Sequence, residues 1–228
     1  MWREGPGPRT ANSEIMQEKV RRAILGEGQS SLTIERSRFL GYALPAADQT
    51  AAEEALQQIR AAHPQASHHC FGYRAGPGQE RQSDDGEPQG TGGLPLLETL
   101  RRWEIDQGVI CVVRYYGGRK LGRPGLYRAY LGAGVAALDA ATCGRLVPGT
   151  RYEADVAHVE RLPLERAVKA ASGEVLDEVF AARVRVMFWL PQGRAPGDLL
   201  RQAPAAGRAV AVADETRAVP DQEGGGPA

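Results

Sequence analysis

Cysteine is scarce in this chain: Cys70, Cys111 and Cys143 stand far apart and outside any C-x-x-C spacing. Neither a disulfide framework nor a zinc knuckle can be built on them, and a reducing cytoplasm is the expected setting. Long apolar runs are missing too. The start, Met1 to Pro8, has no apolar signal core, and no later segment approaches the ~20 residues of a bilayer-spanning helix, so no membrane partner is expected. There is no net charge, with 28 Lys+Arg against 28 Asp+Glu, so any nucleic-acid surface must arise locally. Lysine is limited to Lys19, Lys120 and Lys169, an arginine bias that a GC-rich genome explains as well as a need for bidentate contacts. The chain has no GxxxxGK[ST], no GxGxxG and no G-x-S-x-G, and its acidic loop lacks the ligand spacing of an EF-hand. No cofactor is expected.

What is present is 42% hydrophobic residues, enough for one large or two modest cores. Residues 1–18 are polar and rich in Gly and Pro, and 217–228 end in a similar stretch; both read as flexible tails. Turn chemistry at Pro148-Gly149, after a helical pattern ending at Gly144, marks 144–150 as a linker. The expected domains are therefore 19–143 and 151–216.

In the first, Ser31 to Glu35 and Phe39 to Tyr42 alternate as short strands. Thr50-x-x-Glu53 reads as a capping box, with Ala52, Ala55, Leu56, Ile59 and His63 on one helical face and Pro64 as the stop. A strand follows at His68 to Tyr73, then a long irregular loop over residues 76–93, a helix from Leu94 to Trp103, and a strand at Val109 to Tyr116 buried on both faces. Beyond a glycine turn, Leu126, Tyr130, Ala133, Ala137 and Leu138 share a helical stripe. The class is α+β. The second domain reads as strand (152–158), helix (164–171), strands (174–180 and 182–190), helix (196–202) and strand (209–213), the βαββαβ order of a ferredoxin-like sandwich.

Three groups of residues carry chemistry. Asp84, Asp85 and Glu87, between Ser83 and Thr91, form either a solvated turn or a carboxylate cluster for a hard cation or general base. Gly117-Gly118-Arg119-Lys120-Leu121-Gly122-Arg123-Pro124-Gly125 joins a buried strand to a helix, which suits either a tight turn or an anion nest of backbone N–H groups. Between Gln107 and Leu138 there is no acid, whereas Arg114, Arg119, Lys120, Arg123 and Arg128 all fall there, with Tyr115, Tyr116, Tyr127 and Tyr130 interleaved. Such a patch suits RNA phosphates and bases, although at least half of the tyrosines should be core. His68-His69-Cys70 lacks further ligands at zinc spacing, so a hydrogen-bonding role in the cleft outweighs metal binding.

Arg36-Ser37-Arg38-Phe39, His63-Pro64 with His68-His69-Cys70, the loop Ser83 to Pro95, and Arg114-Tyr115-Tyr116-Gly117-Gly118 through Tyr130 together resemble the YigZ/IMPACT family in its bacterial two-domain form. The resemblance implies an N-terminal ββαβ-type domain with the domain 2-like fold of a ribosomal protein, then a smaller ferredoxin-like domain similar to domain V of elongation factor G. It also implies RNA, a ribosome or a translation-related protein as partner, and translation regulation rather than enzymatic turnover. Where the family usually has Thr-Gly-Gly, this chain has Arg123-Pro124-Gly125, which removes one N–H from the nest. The alternative function is a Mg²⁺-dependent enzyme acting on a phosphorylated small molecule, with the three acids holding the ion.

Overall fold

The computed structural model describes residues 21–199 and 203–221. Its elements are β1 (Arg22–Gly26), β2 (Gly28–Ile34), β3 (Ser37–Leu44), α1 (Gln49–Ala62), β4 (His68–Ala75), β5 (Glu80–Ser83), α2 (Gly93–Arg102), β6 (Ile105–Tyr115), α3 (Gly122–Asp139), β7 (Thr142–Val156), α4 (His158–Ala170), β8 (Glu174–Phe180), β9 (Val184–Pro191) and β10 (Val210–Pro220). Ten strands join one sheet, so the class is mixed α+β as the sequence implied.

β6 is the centre of the first half, pairing with β1, β3 and β4. Its side chains alternate between two cores, as a strand covered on both faces must. Ile110 and Val112 join α2 and α3, through Leu96, Leu100, Leu126, Ala133 and Tyr130, whereas Val109, Cys111 and Val113 join Leu56 and Ile59 of α1. Small residues let α3 lie close: a Cβ on Gly41 would sit 2.5 Å from the Ala133 carbonyl oxygen and 2.4 Å from Ser30 Oγ.

β7 links the two halves. Its first residues pair with β1 and its later ones with β9, while β10 runs along the other side. Strand order in the second half is β10-β7-β9-β8, all antiparallel, over a third core built on Val156, Leu164, Val168, Val186 and Phe188.

Several expected elements change. Residues 144–150, read as a linker, are the middle of β7. The two glycines there serve close approach rather than a turn, since added Cβ atoms would meet the Val219 carbonyl at Gly144 and the Trp189 indole at Gly149. Pro148 falls between the stretch paired with β1 and that paired with β9. Arg217 to Pro220, placed in the tail, end β10; residues 1–18 and 222–228 lie outside the described residues. The helix expected at 196–202 is a 3₁₀ turn over Pro196–Leu199, with residues 200–202 not described. Asp48, not Thr50, caps α1, accepting the Ala51 N–H at 2.9 Å. β1 and the polar hairpin strand β5 escaped notice because neither alternates over enough residues.

Gly41→Ala should force α3 off β3 and cost about 1–3 kcal/mol, the usual penalty of overpacking. A urea midpoint equal to that of the parent chain would contradict the close contact.

Candidate functional site

The acidic loop folds onto its own backbone and its neighbours. Asp84 Oδ1 accepts the N–H groups of Gly92 and Gly93 at 2.9 and 2.8 Å, and Oδ2 that of Gly90 at 2.8 Å. The carboxylate thus sits at the N-terminus of α2, where the unpaired N–H groups and the helix dipole favour an anion. Asp85, held at φ 45°, accepts the His69 N–H at 2.6 Å, and its carbonyl accepts from His68 Nδ1 at 2.8 Å. Ser83 Oγ accepts the Asp85 N–H at 3.2 Å, and the buried Thr91 hydroxyl donates to the Pro88 carbonyl at 2.6 Å. Gly86, at φ 86°, makes the tight turn that a side chain would strain.

Glu87 turns inward. It is 9% exposed, and its Oε1 accepts from Arg114 Nη1 at 2.5 Å and from the Tyr130 hydroxyl at 2.8 Å. His68 Nε2 lies 3.8 Å from the same oxygen. Arg114, 4% exposed, also donates from Nη2 to Ser37 Oγ at 3.3 Å, and its guanidinium lies between the rings of Phe39 and Tyr116. Ser37 Oγ takes the Gly117 N–H as well, at 3.2 Å. Burial holds the Tyr130 hydroxyl and the Cys70 thiol far above their ordinary pKa values, so both stay neutral. Cys70 donates to the Asp84 carbonyl at 3.0 Å.

The three acids therefore do not converge: each carboxylate has a different partner. Among the described residues no cluster of three or more His, Cys, Asp or Glu side chains could hold a metal ion. Arg114, grouped with the surface cations on sequence grounds, lies inside. It shares the face of β6 that carries Ile110 and Val112, and strand alternation places it against α3.

The glycine turn faces outward. Gly117 lies against the Arg36 backbone, where a Cβ would be 2.1 Å from the carbonyl carbon and oxygen; Gly118 and Gly122 adopt φ of 85° and 69°. Opposite is the two-residue hairpin turn Glu35-Arg36, both at positive φ, which twists β2 and β3 together. An open groove of about 390 Å³ runs between these turns, lined by Ile34, Glu35, Arg119, Lys120, Gly125 and Arg128. Arg119 pairs with Glu35 at 2.6 Å; Lys120, Arg123 and Arg128 are exposed, and Arg123 Nη2 donates to the Gln89 carbonyl at 2.8 Å. The first residues of α3 have no side-chain cap, and Pro124 offers no N–H. Tyr116 is 48% exposed beside this surface, and Tyr127 donates to Glu98 at 2.9 Å.

The acidic and basic stretches thus meet through Glu87–Arg114 and Gln89–Arg123. Sequence reasoning missed two participants. Ser37 is an isolated hydroxyl whose burial no periodicity reveals. His63, foreseen on the helix face and in a family motif but given no role in the site, lies between the Tyr42 and Tyr115 hydroxyls, at 2.6 Å from Nε2 and 2.9 Å from Nδ1, while His69 Nε2 donates to its carbonyl at 3.1 Å. Burial, followed by the neighbouring His69 and Arg38, lowers the His63 pKa.

Residues 35–138 match the family model of the Impact N-terminal domain. The chain is 34% identical over 165 residues to the IMPACT family member YigZ of Escherichia coli K12, covering 71% of this chain and 81% of that protein. It is 39% identical over 170 residues to an IMPACT family member of Thermus thermophilus, covering 74% and 92% of the two chains. A solved structure described as a hypothetical protein superposes with a TM-score of 0.59 at 30% identity, over 86% of this chain and 98% of its own.

Glu87→Ala leaves the Arg114 guanidinium buried without its carboxylate, and should cost about 3–5 kcal/mol, as breaking a buried pair does. Chemical denaturation measures it, and a near-neutral result would contradict the central role of the pair. A lowered His63 pKa means the unfolded chain takes up the proton first. This contribution to stability is complete above the ordinary value of 6.5 and is lost as pH falls through the lower folded value. The thermal midpoint of the parent chain should therefore drop more steeply below that pH than the midpoint of His63→Gln; parallel profiles would rule the contribution out.

Proposed function

The chain belongs to the IMPACT family, and on that premise we propose that it is a non-enzymatic, cytoplasmic, RNA- or ribosome-associated protein concerned with translation. The observation that carries this reading is the groove beside the start of α3, lined by the cations Arg119, Lys120 and Arg128. Phosphates are attracted by such cations and by the positive end of a helix, and an exposed aromatic ring beside them offers an unpaired base a stacking face. Arg123 and Tyr116 extend the same surface. Among the described residues Glu35 is the one acid lining the groove, and it is already paired with Arg119.

Two fold analogies accompany this reading, one for each half of the molecule. The antiparallel order β10-β7-β9-β8 supports a ferredoxin-like second unit similar to domain V of elongation factor G. The helices packed on β3, β4 and β6 support a ribosomal-protein domain 2-like first unit. Such analogies do not define function, and the groove carries the reading. The Mg²⁺-enzyme alternative gains no support from three acids that face three different partners.

Affinity for ribosomes or structured RNA should fall steeply with salt, since bound phosphates release counterions. Arg119→Ala with Lys120→Ala should weaken binding and flatten the log K against log salt slope by about one to two units. Filter binding across a salt series measures both. Unchanged affinity and slope in the double variant would rule out this surface.

A further inference from the structure

β8 ends the sheet in the second half of the molecule, pairing with β9 on one side and with no described strand on the other. Such an edge leaves backbone N–H and C=O groups open to another chain, except that the Glu178 N–H donates to Asp177 Oδ1 at 2.8 Å and the register shifts between Val175 and Asp177. Beside it, between β8 and α4, runs a groove of about 510 Å³ with Val175 and Phe180 on its strand wall. Phe180 is 60% exposed and Val179 53%, and Val159 and Leu162 of α4 are also exposed, so apolar surface accompanies the open backbone.

Charge decides what fits. Four carboxylates, Glu165, Glu174, Asp177 and Glu178, line the groove against two cations, Arg161 and Lys169, and with Arg217 beside Glu174 one negative charge is left in excess. Both cations are taken: Arg161 Nη2 lies 2.7 Å from Glu178, and Lys169 Nζ 2.8 Å from Glu165. Glu174 is paired with Arg217 at 2.9 Å, and Asp177 has no ion pair among the described residues. A phosphate backbone is repelled here. A second copy is disfavoured as well, because antiparallel pairing of two β8 strands centred on Asp177 sets acid against acid.

We propose that the β8 edge takes an extended cationic segment of a partner protein as an added strand. Main-chain hydrogen bonds supply the pairing, Lys or Arg side chains reach Asp177 and its acidic neighbours, and apolar side chains on the alternate positions meet Val175 and Phe180. This surface lies on different elements from the cationic groove of the first half, so the chain has two binding faces of opposite charge.

A synthetic peptide of alternating Lys and Val is the probe, with its Glu and Val counterpart as control, titrated against the full chain at low salt. Fluorescence anisotropy should show binding of the first and not the second. Amide shifts should centre on Glu174–Phe180. Asp177→Lys should weaken binding several-fold, and Asp177→Asn, which keeps the side-chain shape, should weaken it less. The Arg119→Ala, Lys120→Ala variant should bind as the parent does. No binding, equal binding by Asp177→Lys, shifts centred away from β8, or self-association through β8 would each overturn the proposal.

Discussion

The buried ion pair of Glu87 with Arg114 is the constraint on which the first half of this molecule depends. Taking two charges out of water costs several kcal/mol per ion, and this pair offsets that through hydrogen bonds from Arg114 and Tyr130 to one carboxylate oxygen and from Arg114 to Ser37. Four pieces of chain meet there: the acidic loop, the end of β6, α3 and the start of β3. A shift of any of them would break one of these hydrogen bonds. Ser37, by also taking the Gly117 N–H, carries the constraint into the turn that presents Arg119 and Lys120.

The two stretches that stand out in the sequence have opposite duties. The acidic loop spends its charge internally: Asp84 at the head of α2, Asp85 on the β4 backbone, Glu87 in the core. The glycine turn does the reverse, keeping its cations in solvent beside uncapped N–H groups. Asp84 and Asp85 spend their oxygens on backbone donors, whereas Lys120 and Arg128 stand in solvent. In the proposed function the acids build the platform and the bases make the contact.

Much of this was legible in the residues. The uninterrupted Val109-Ile110-Cys111-Val112-Val113 run announced a doubly covered strand, and the Leu126 to Leu138 stripe announced the helix on it, because burial on two faces and on one leaves different periods. The separation of Asp84 from Glu87 was not legible: composition records three acids in four positions, while backbone torsion at Asp85 and Gly86 sends them apart. Charge along the chain does not separate Arg114, on the inner face of β6, from the exposed cations that follow it. At residues 144–150 glycine and proline suit both a turn and a close approach, and only the neighbours Val219 and Trp189 distinguish the two.

One measurement tests the account most directly: backbone amide shifts of the isotope-labelled full chain during titration with a single-stranded RNA oligonucleotide. The largest shifts are expected at Tyr116 to Arg128 and at Glu35-Arg36 across the groove, with Asp84 to Thr91 moving little. Shifts centred on the acidic loop, or none on the glycine turn, would contradict it.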